Sequence, residues 1–294
     1  MHGVTDLRHG KHEQRARRCH EPQKQQKVTH TLGRRAVILG PRKKKGQASF
    51  LPDCTLRSYY GRMTRAARAA PPGYVYHVLN RAVARLPLFQ KDGDYDAFER
   101  VLSEALQAHP TWLLAYCLMP NHWHFVVWQQ HEGDLTDFAQ CLTHTHTMRW
   151  HTHYHTLGSG HVYQGRFKSF QVQEDEHFYQ VVRYVERNAL RANLVQRAED
   201  WRWSSLWRRQ HADAKPVLPL ADWPLSLPPD WLEMVNRPQT EAELEAVRRC
   251  VNREAPYGNP AWQRATAARY HLEHTLRPRG RPRKRPMPPS PPHE

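Results

Sequence analysis

Met119-Pro120-Asn121-His122-Trp123-His124-Phe125-Val126-Val127-Trp128 reads as a tight connection running into a short strand. Trp, Phe and Val favour strands, and the Pro-Asn pair favours the turn at its mouth. Alternation puts His122 and His124 on one face and Trp123, Phe125 and Val127 on the other. The apolar face can pack under helices. The other offers two imidazoles at a spacing that suits two ligands of one divalent metal. The spacing alone does not decide this. The chain has 21 His, and two half-exposed histidines on an edge strand are the competing reading.

Upstream of this stretch, Tyr74 to Asn80 has the character of a first strand behind the Pro71-Pro72-Gly73 break. Asp92-Gly93-Asp94 leads into a helix with Tyr95, Phe98, Val101, Leu102 and Leu106 at helical spacing. Trp112 to Leu118 is a second strand, hairpin-paired with His122–Trp128, so the two histidines fall on an inner or near-inner strand. Downstream, Asp134 is expected to cap a helix carrying Leu135, Phe138, Leu142 and, as an optional member, Met148. His144, His146, His151, His153, His155 and His161 follow without clean metal-site spacing, because i,i+2 side chains diverge on a helix. They are expected as exposed helix-end histidines, with a second metal site or a pH-sensitive patch as the alternative.

Val162 to Phe170 turns into another strand. There Arg166 and Lys168 alternate with Phe167 and Ser169, giving either a positive face suited to phosphates or an ordinary solvated one. A helix from about Asp175 to Asn188 shows the apolar stripe Phe178, Val181, Val182, Val185. Tyr184 and Asn188 lie one turn apart on its flank, so a phenol and a carboxamide can reach one point in space. If that point is a metal held by His122 and His124, Asn188 is its third ligand and Tyr184 a nucleophile beside it. Otherwise Tyr184 is a core-edge aromatic.

Composition bounds the partners. The chain has 294 residues, and 44 Lys+Arg against 28 Asp+Glu give a formal charge of +16. That excess favours a polyanion, nucleic acid before a membrane surface. Five scattered cysteines, Cys19, Cys54, Cys117, Cys141 and Cys250, form no C-x-x-C and fit a reduced cytoplasm. The start is charged and histidine-rich, unlike a signal segment, and no apolar run approaches ~18 residues, so a cytoplasmic, nucleoid-associated protein without membrane contact is expected.

The organisation follows from these shifts in composition. Residues 1–62 are expected to be a disordered basic extension, with Met63 as an alternative start. A domain over 63–207 precedes a Pro-rich linker, 208–235, and a small helical accessory region, 236–274. The tail 275–294 is expected to be disordered and basic. Its Arg279-Gly280-Arg281-Pro282 is AT-hook-like, so Arg279 and Arg281 are candidate minor-groove contacts, or else purely electrostatic ones.

Four segments in order carry a family resemblance: Met119 to His124, Gly165-Arg166-Phe167-Lys168, Arg183-Tyr184-Val185-Glu186-Arg187-Asn188-Ala189-Leu190-Arg191-Ala192, and Trp203-Ser204-Ser205. Together they resemble the REP-associated tyrosine transposases, members of the single-tyrosine HUH transposases and nucleases. The resemblance implies an α+β fold, an antiparallel sheet with helices packed on one face (ferredoxin-like or RRM-like), plus here a small helical C-terminal extension. It implies Tyr184 as nucleophile, His122 and His124 as the metal pair, Asn188 as third ligand, and Mg²⁺ or Mn²⁺ as cofactor. The implied reaction cleaves single-stranded DNA near a REP-like hairpin, leaving a 5′-phosphotyrosine and a free 3′-OH, by a monomer, with a dimer as the alternative. Ala189 departs from the proline usual after the asparagine. The competing function is a noncatalytic DNA or RNA hairpin binder of the same descent. A zinc hydrolase barrel lacks the strand–helix repeat it needs.

Overall fold

Four strands make one antiparallel sheet in the order β2-β3-β1-β4. They are β1 (Val75–Arg81), β2 (Trp112–Met119), β3 (His122–Trp128) and β4 (Lys168–Val172). With α1 (Asp92–Ala108) and α2 (Asp134–His153) the chain runs β1-α1-β2-β3-α2-β4, the ferredoxin-like order. Then come α3 (Glu176–Glu186), α4 (Asn188–Arg191), α5 (Ser205–Gln210), α6 (Trp231–Asn236), α7 (Glu241–Arg253), α8 (Pro260–Arg269) and α9 (Glu273–Leu276). This computed structural model describes residues 70–214 and 218–278. The extension over 1–62, Arg279, Arg281 and most of the basic tail lie outside the described residues.

The expected α+β sheet is present, with β3 on the inside and α1 and α2 on one face. Trp123, Phe125 and Val127 of β3 share a core there with Phe98, Leu102, Phe138 and Leu142. The opposite face is covered too. Val126, Cys117, Met119, Phe170 and Val172 pack against Phe178, Val181, Val182 and Val185 of α3, with Leu244 and Val247 of α7 behind them. Both faces of β3 are therefore covered, with His124 buried and His122 half-buried on an inner strand rather than at an edge.

Two expectations are corrected by burial. His146 and His151 of α2 are buried, not exposed helix-end groups. Tyr163 receives the Trp123 indole N–H at 3.2 Å, and its hydroxyl shares a further hydrogen bond with His146 Nδ1 at 2.8 Å. His151 ties the loop after α2 through Thr156 Oγ1 (2.8 Å) and the Gly160 carbonyl (3.1 Å). The Pro-rich stretch 208–235, expected as a linker, is packed from Leu218 onward. Ala221 N–H donates to the Leu113 carbonyl and the Trp223 indole to that of Leu114, which covers the free edge of β2. Large indole surface outweighs the loop-like composition here.

The Trp203-Ser204-Ser205 segment has a structural explanation. Trp203 stacks on Tyr95 at 4.8 Å. Ser204 caps α5 by accepting the Trp207 N–H. The Ser205 hydroxyl lies 2.6 Å from the Glu186 carboxylate and receives the Tyr116 N–H at 3.0 Å. Glu186, fully buried at the end of α3, also receives the Trp231 indole N–H at 2.8 Å. One carboxylate thus fastens α3 to α5 and α6.

A buried ion pair joins α1 to α5. Arg208 Nη2 lies 2.6 Å from Glu99 Oε2, and the Tyr116 hydroxyl donates to Glu99 Oε1 at 2.7 Å. Removing one partner of such a pair leaves the other charge dry. Glu99→Ala should lower the unfolding free energy in urea by about 3–5 kcal/mol, whereas Glu99→Leu with Arg208→Met should lose far less. Equal losses in the two variants would contradict this reading.

Candidate active site

The pairing of β1 with β3 assembles the site. Register sets Leu79 opposite His124 and Arg81 opposite His122. His77, His124 and His122 therefore share a face, as period-two alternation requires. The His122 and His124 rings lie 4.9 Å apart, centroid to centroid, nearly perpendicular. His77 Nε2 and His124 Nδ1 are 2.9 Å apart and share one hydrogen bond, so one nitrogen carries the proton and the other accepts it. With Nδ1 so engaged, the nitrogen left to His124 for a ligand is Nε2. His122 Nδ1 lies 2.6 Å from Asn121 Oδ1, which can only accept. Nδ1–H is therefore the donor, and His122 Nε2 holds the lone pair.

Burial sets the protonation of these rings. His122 is pushed down to about 3, chiefly by burial and then by the nearby Arg81 and Arg191. His124 is held well below the ordinary imidazole range by burial, then by His122, His77, Arg191 and Arg81. Burial alone takes His77 to about 3. Three neutral imidazoles thus face a region whose fixed charges are guanidinium groups.

Tyr184 enters from α3. Its amphipathic stripe packs on the sheet, and Asp175 caps its start by accepting the His177 N–H at 2.9 Å. The Tyr184 ring is buried, 5.7 Å from that of His124 and 6.2 Å from that of His77, edge-on to both. Arg191 lies over the Tyr184 ring, 4.3 Å from its centroid. Such cation–π contacts contribute about 0.5–2 kcal/mol, more as water is excluded.

Asn188 departs from expectation in one respect. The helix does not run on through it: α3 ends at Glu186, and Asn188 begins α4. Its Oδ1 accepts from Arg191 Nη2 at 2.9 Å, while its Nδ2 is buried without a hydrogen-bond partner. The oxygen that would serve as a hard-cation ligand is already shared with a guanidinium. The two imidazoles, neutral and adjacent, fit a divalent cation. Asn188 fits only through the remaining lone pair of Oδ1.

The structure brings together His122, His124 and Tyr184, with Asn188 linked to them through Arg191. Lys168 opens β4 opposite Leu79 and so shares the histidine face, two strand spacings (about 10 Å) from His124. Arg166 lies in the bend before β4, exposed, so the expected alternation begins only at Lys168. Sequence reasoning missed His77 and Arg81, whose relevance appears only once β1 is paired with β3. Arg191 stood inside the quoted motif, and its placement needed the break at Arg187. Among the described residues, Asp175, Glu176 and His177 are the one group of three side chains of metal-binding type that converge. His177 there pairs with the capping Asp175 at 2.7 Å, seven residues before Tyr184 on α3.

Two neutral imidazoles on a sheet, a helix-borne phenol beside them and guanidinium groups around both make an arrangement chemically suited to an anionic ester. Residues 72–188 match the family model described as Transposase IS200 like. Among solved structures the chain is similar to one titled as the REP-associated tyrosine transposase bound to a REP hairpin. That match has a TM-score of 0.40 and 16% identity, over 54% of this chain and 93% of the other. It is also similar to a candidate transposase from Deinococcus radiodurans R1, with a TM-score of 0.31 and 18% identity, over 42% and 95%. No curated protein matches the chain. Among the described residues no helix is long and apolar enough to cross a membrane.

The depressed pKa values give a direct test. A ring with its pKa far below the ordinary ~6.5 keeps its lone pair as the pH falls. The ¹⁵N resonances of His122 and His124 should therefore hold the neutral pattern from about pH 8 to about pH 5. Protonation of either ring in that window would contradict the buried geometry.

Proposed function

We propose that this protein is a metal-dependent single-tyrosine DNA endonuclease and strand transferase acting on single-stranded DNA beside a hairpin. Tyr184 is the nucleophile, and His122 and His124 hold the cation. The observation that carries this is the buried Tyr184 ring 5.7 Å from the His124 ring with Arg191 over its face. In the reaction, Tyr184 Oη bonds to phosphorus and the bond from phosphorus to the 3′ oxygen breaks. The phenol gives up its proton and the departing 3′ oxygen gains one. The products are a 5′-phosphotyrosine and a free 3′-OH, and reversal rejoins the strand because the ester conserves the bond energy.

The chain's own groups have separate tasks. Arg191 stabilises the negative charge that develops on the phenol as its proton leaves, and Arg81 adds positive potential where the phosphate would sit. A bound Mg²⁺ or Mn²⁺, held by His122 and His124 with Asn188 as a weaker third donor, would supply positive charge at the non-bridging oxygens. His77 orients His124, the second-sphere role common beside ligating imidazoles. Lys168, on the same face, and exposed Arg166 are suited to backbone phosphates. The hairpin form of the DNA, and REP-like palindromes as its source, are proposed from the family motifs. A monomer bound to the nucleoid in the cytoplasm agrees with the excess basic charge.

Incubation of the whole protein with Mg²⁺ and single-stranded hairpin DNA from the gene's flanks should give a covalent adduct mapping to Tyr184. Tyr184→Phe should abolish the adduct and keep hairpin binding; an adduct that persists in this variant would sink the proposal. His77→Phe preserves the ring volume but cannot hydrogen-bond His124. It should weaken Mn²⁺ binding, measured by calorimetry without DNA, by about 10–100-fold.

A further inference from the structure

Beyond the histidine–tyrosine site, the C-terminal helices line an open cavity of about 590 Å³. Arg248, Arg249 and Arg253 of α7, Arg264 of α8 and Arg277 after α9 line it, with Glu245 as its one carboxylate. Arg253 is fixed as part of the wall by donating to the His274 carbonyl at 2.6 Å and that of Thr275 at 3.2 Å. Arg248 pairs with exposed Glu241 at 3.6 Å. Arg249, Arg264 and Arg277 make no ion pair among the described residues. Helix-dipole complementarity accounts for basic residues at the end of α7. It does not account for Arg264, in the first half of α8, or for Arg277, beyond a helix. Five arginines from three segments line one cavity, a surplus of positive charge that suits an anion from outside the chain.

The lining contains no aromatic ring, so it offers no platform for stacking bases and is built for a backbone. Its α7 wall also packs against the helix that carries the tyrosine. Leu244, Val247 and Cys250 of α7 share the core cluster of Tyr184, and Arg183 of α3 lies 3.7 Å from Glu243 of α7. Arg248 is close enough to Arg191 to disfavour its charge, after burial and against the pull of Tyr184. We infer that the α7–α9 cavity seats backbone phosphates of the single strand that flanks the cleavage position, without regard to its sequence. This rests on the function proposed above in taking DNA as the polyanion, but not on cleavage.

The test uses the full chain and fluorescence anisotropy across a salt series, with a bare hairpin, a hairpin carrying a single-stranded extension, and unstructured oligothymidylate. Wild type should bind the extended hairpin more tightly than the bare one. The pair Arg249→Gln/Arg264→Gln should lose that difference and bind oligothymidylate more weakly. Its log K against log salt should be shallower by about 1.4, two contacts at roughly 0.7 each. Arg249→Lys/Arg264→Lys, with the charge kept, should retain the slope. Wild-type affinity and slope in the Gln pair would overturn the inference, as would loss by the Lys pair equal to that of the Gln pair. If the Gln pair shows its expected loss on oligothymidylate while wild type yields no covalent adduct with any hairpin, the cavity stands and the cleavage reading falls. If wild type binds none of the three, both fall.

Discussion

An inner strand covered on both faces leaves little water to solvate its polar side chains, and β3 carries two imidazoles, one buried and one half-buried, on one of those faces. Each must find a partner inside the protein or remain costly there. Asn121 serves His122, His77 serves His124, and both rings respond to the dry setting by staying neutral. A protonated imidazole would be a poor ligand. The burial that makes these histidines expensive is therefore what keeps their lone pairs available.

The same dryness explains how the tyrosine is held. A phenol placed beside two rings requires its helix to be fixed in rotation and in height. The stripe of α3 fixes the rotation against the sheet, and Glu186 fixes the height by receiving Ser205 and Trp231 from elements that follow. The helix then breaks at Arg187, which turns α4 so that Arg191 comes back over the Tyr184 ring. The C-terminal elements are in this sense part of the site, because they hold the helix that carries its nucleophile candidate. Burial raises the Glu186 carboxyl above the usual range, against the pull of the Ser205 and Trp231 hydrogen bonds and of Arg209.

Much of this was legible in the sequence, because the relevant signals are local. Alternation on β3 gave the histidine face, and the 3.6-residue stripe of α3 gave the side that Tyr184 flanks. Short motifs in order gave the resemblance, and the family model matches over residues 72–188. What was not legible depends on pairing between distant segments. His77 reads as one more polar residue in a strand until β1 is set beside β3. His146 and His151 look like surface histidines until α2 is packed, since a buried imidazole needs partners such as Tyr163 or Gly160 that no local pattern announces. The stretch 208–235 has the composition of a linker, and only the tertiary demand of an uncovered β2 edge turns it into part of the core.

The charge balance of the site bears on its use. The charged groups acting on His122 are Arg81 and Arg191, both positive, and burial together with like charge already disfavours the charged form of Arg81. Adding a divalent cation to such a surrounding is unfavourable by itself, since Coulomb repulsion grows as the dielectric falls. An incoming phosphodiester reverses that balance, because its anionic oxygens can face the guanidinium groups and a metal together. Cation and nucleic acid should therefore bind with positive coupling, each raising the affinity for the other by the same factor. Arg191 stands at the centre of this exchange: it holds the Asn188 oxygen in the free protein, and a phosphate that drew its guanidinium away would leave that oxygen free to turn toward the histidines.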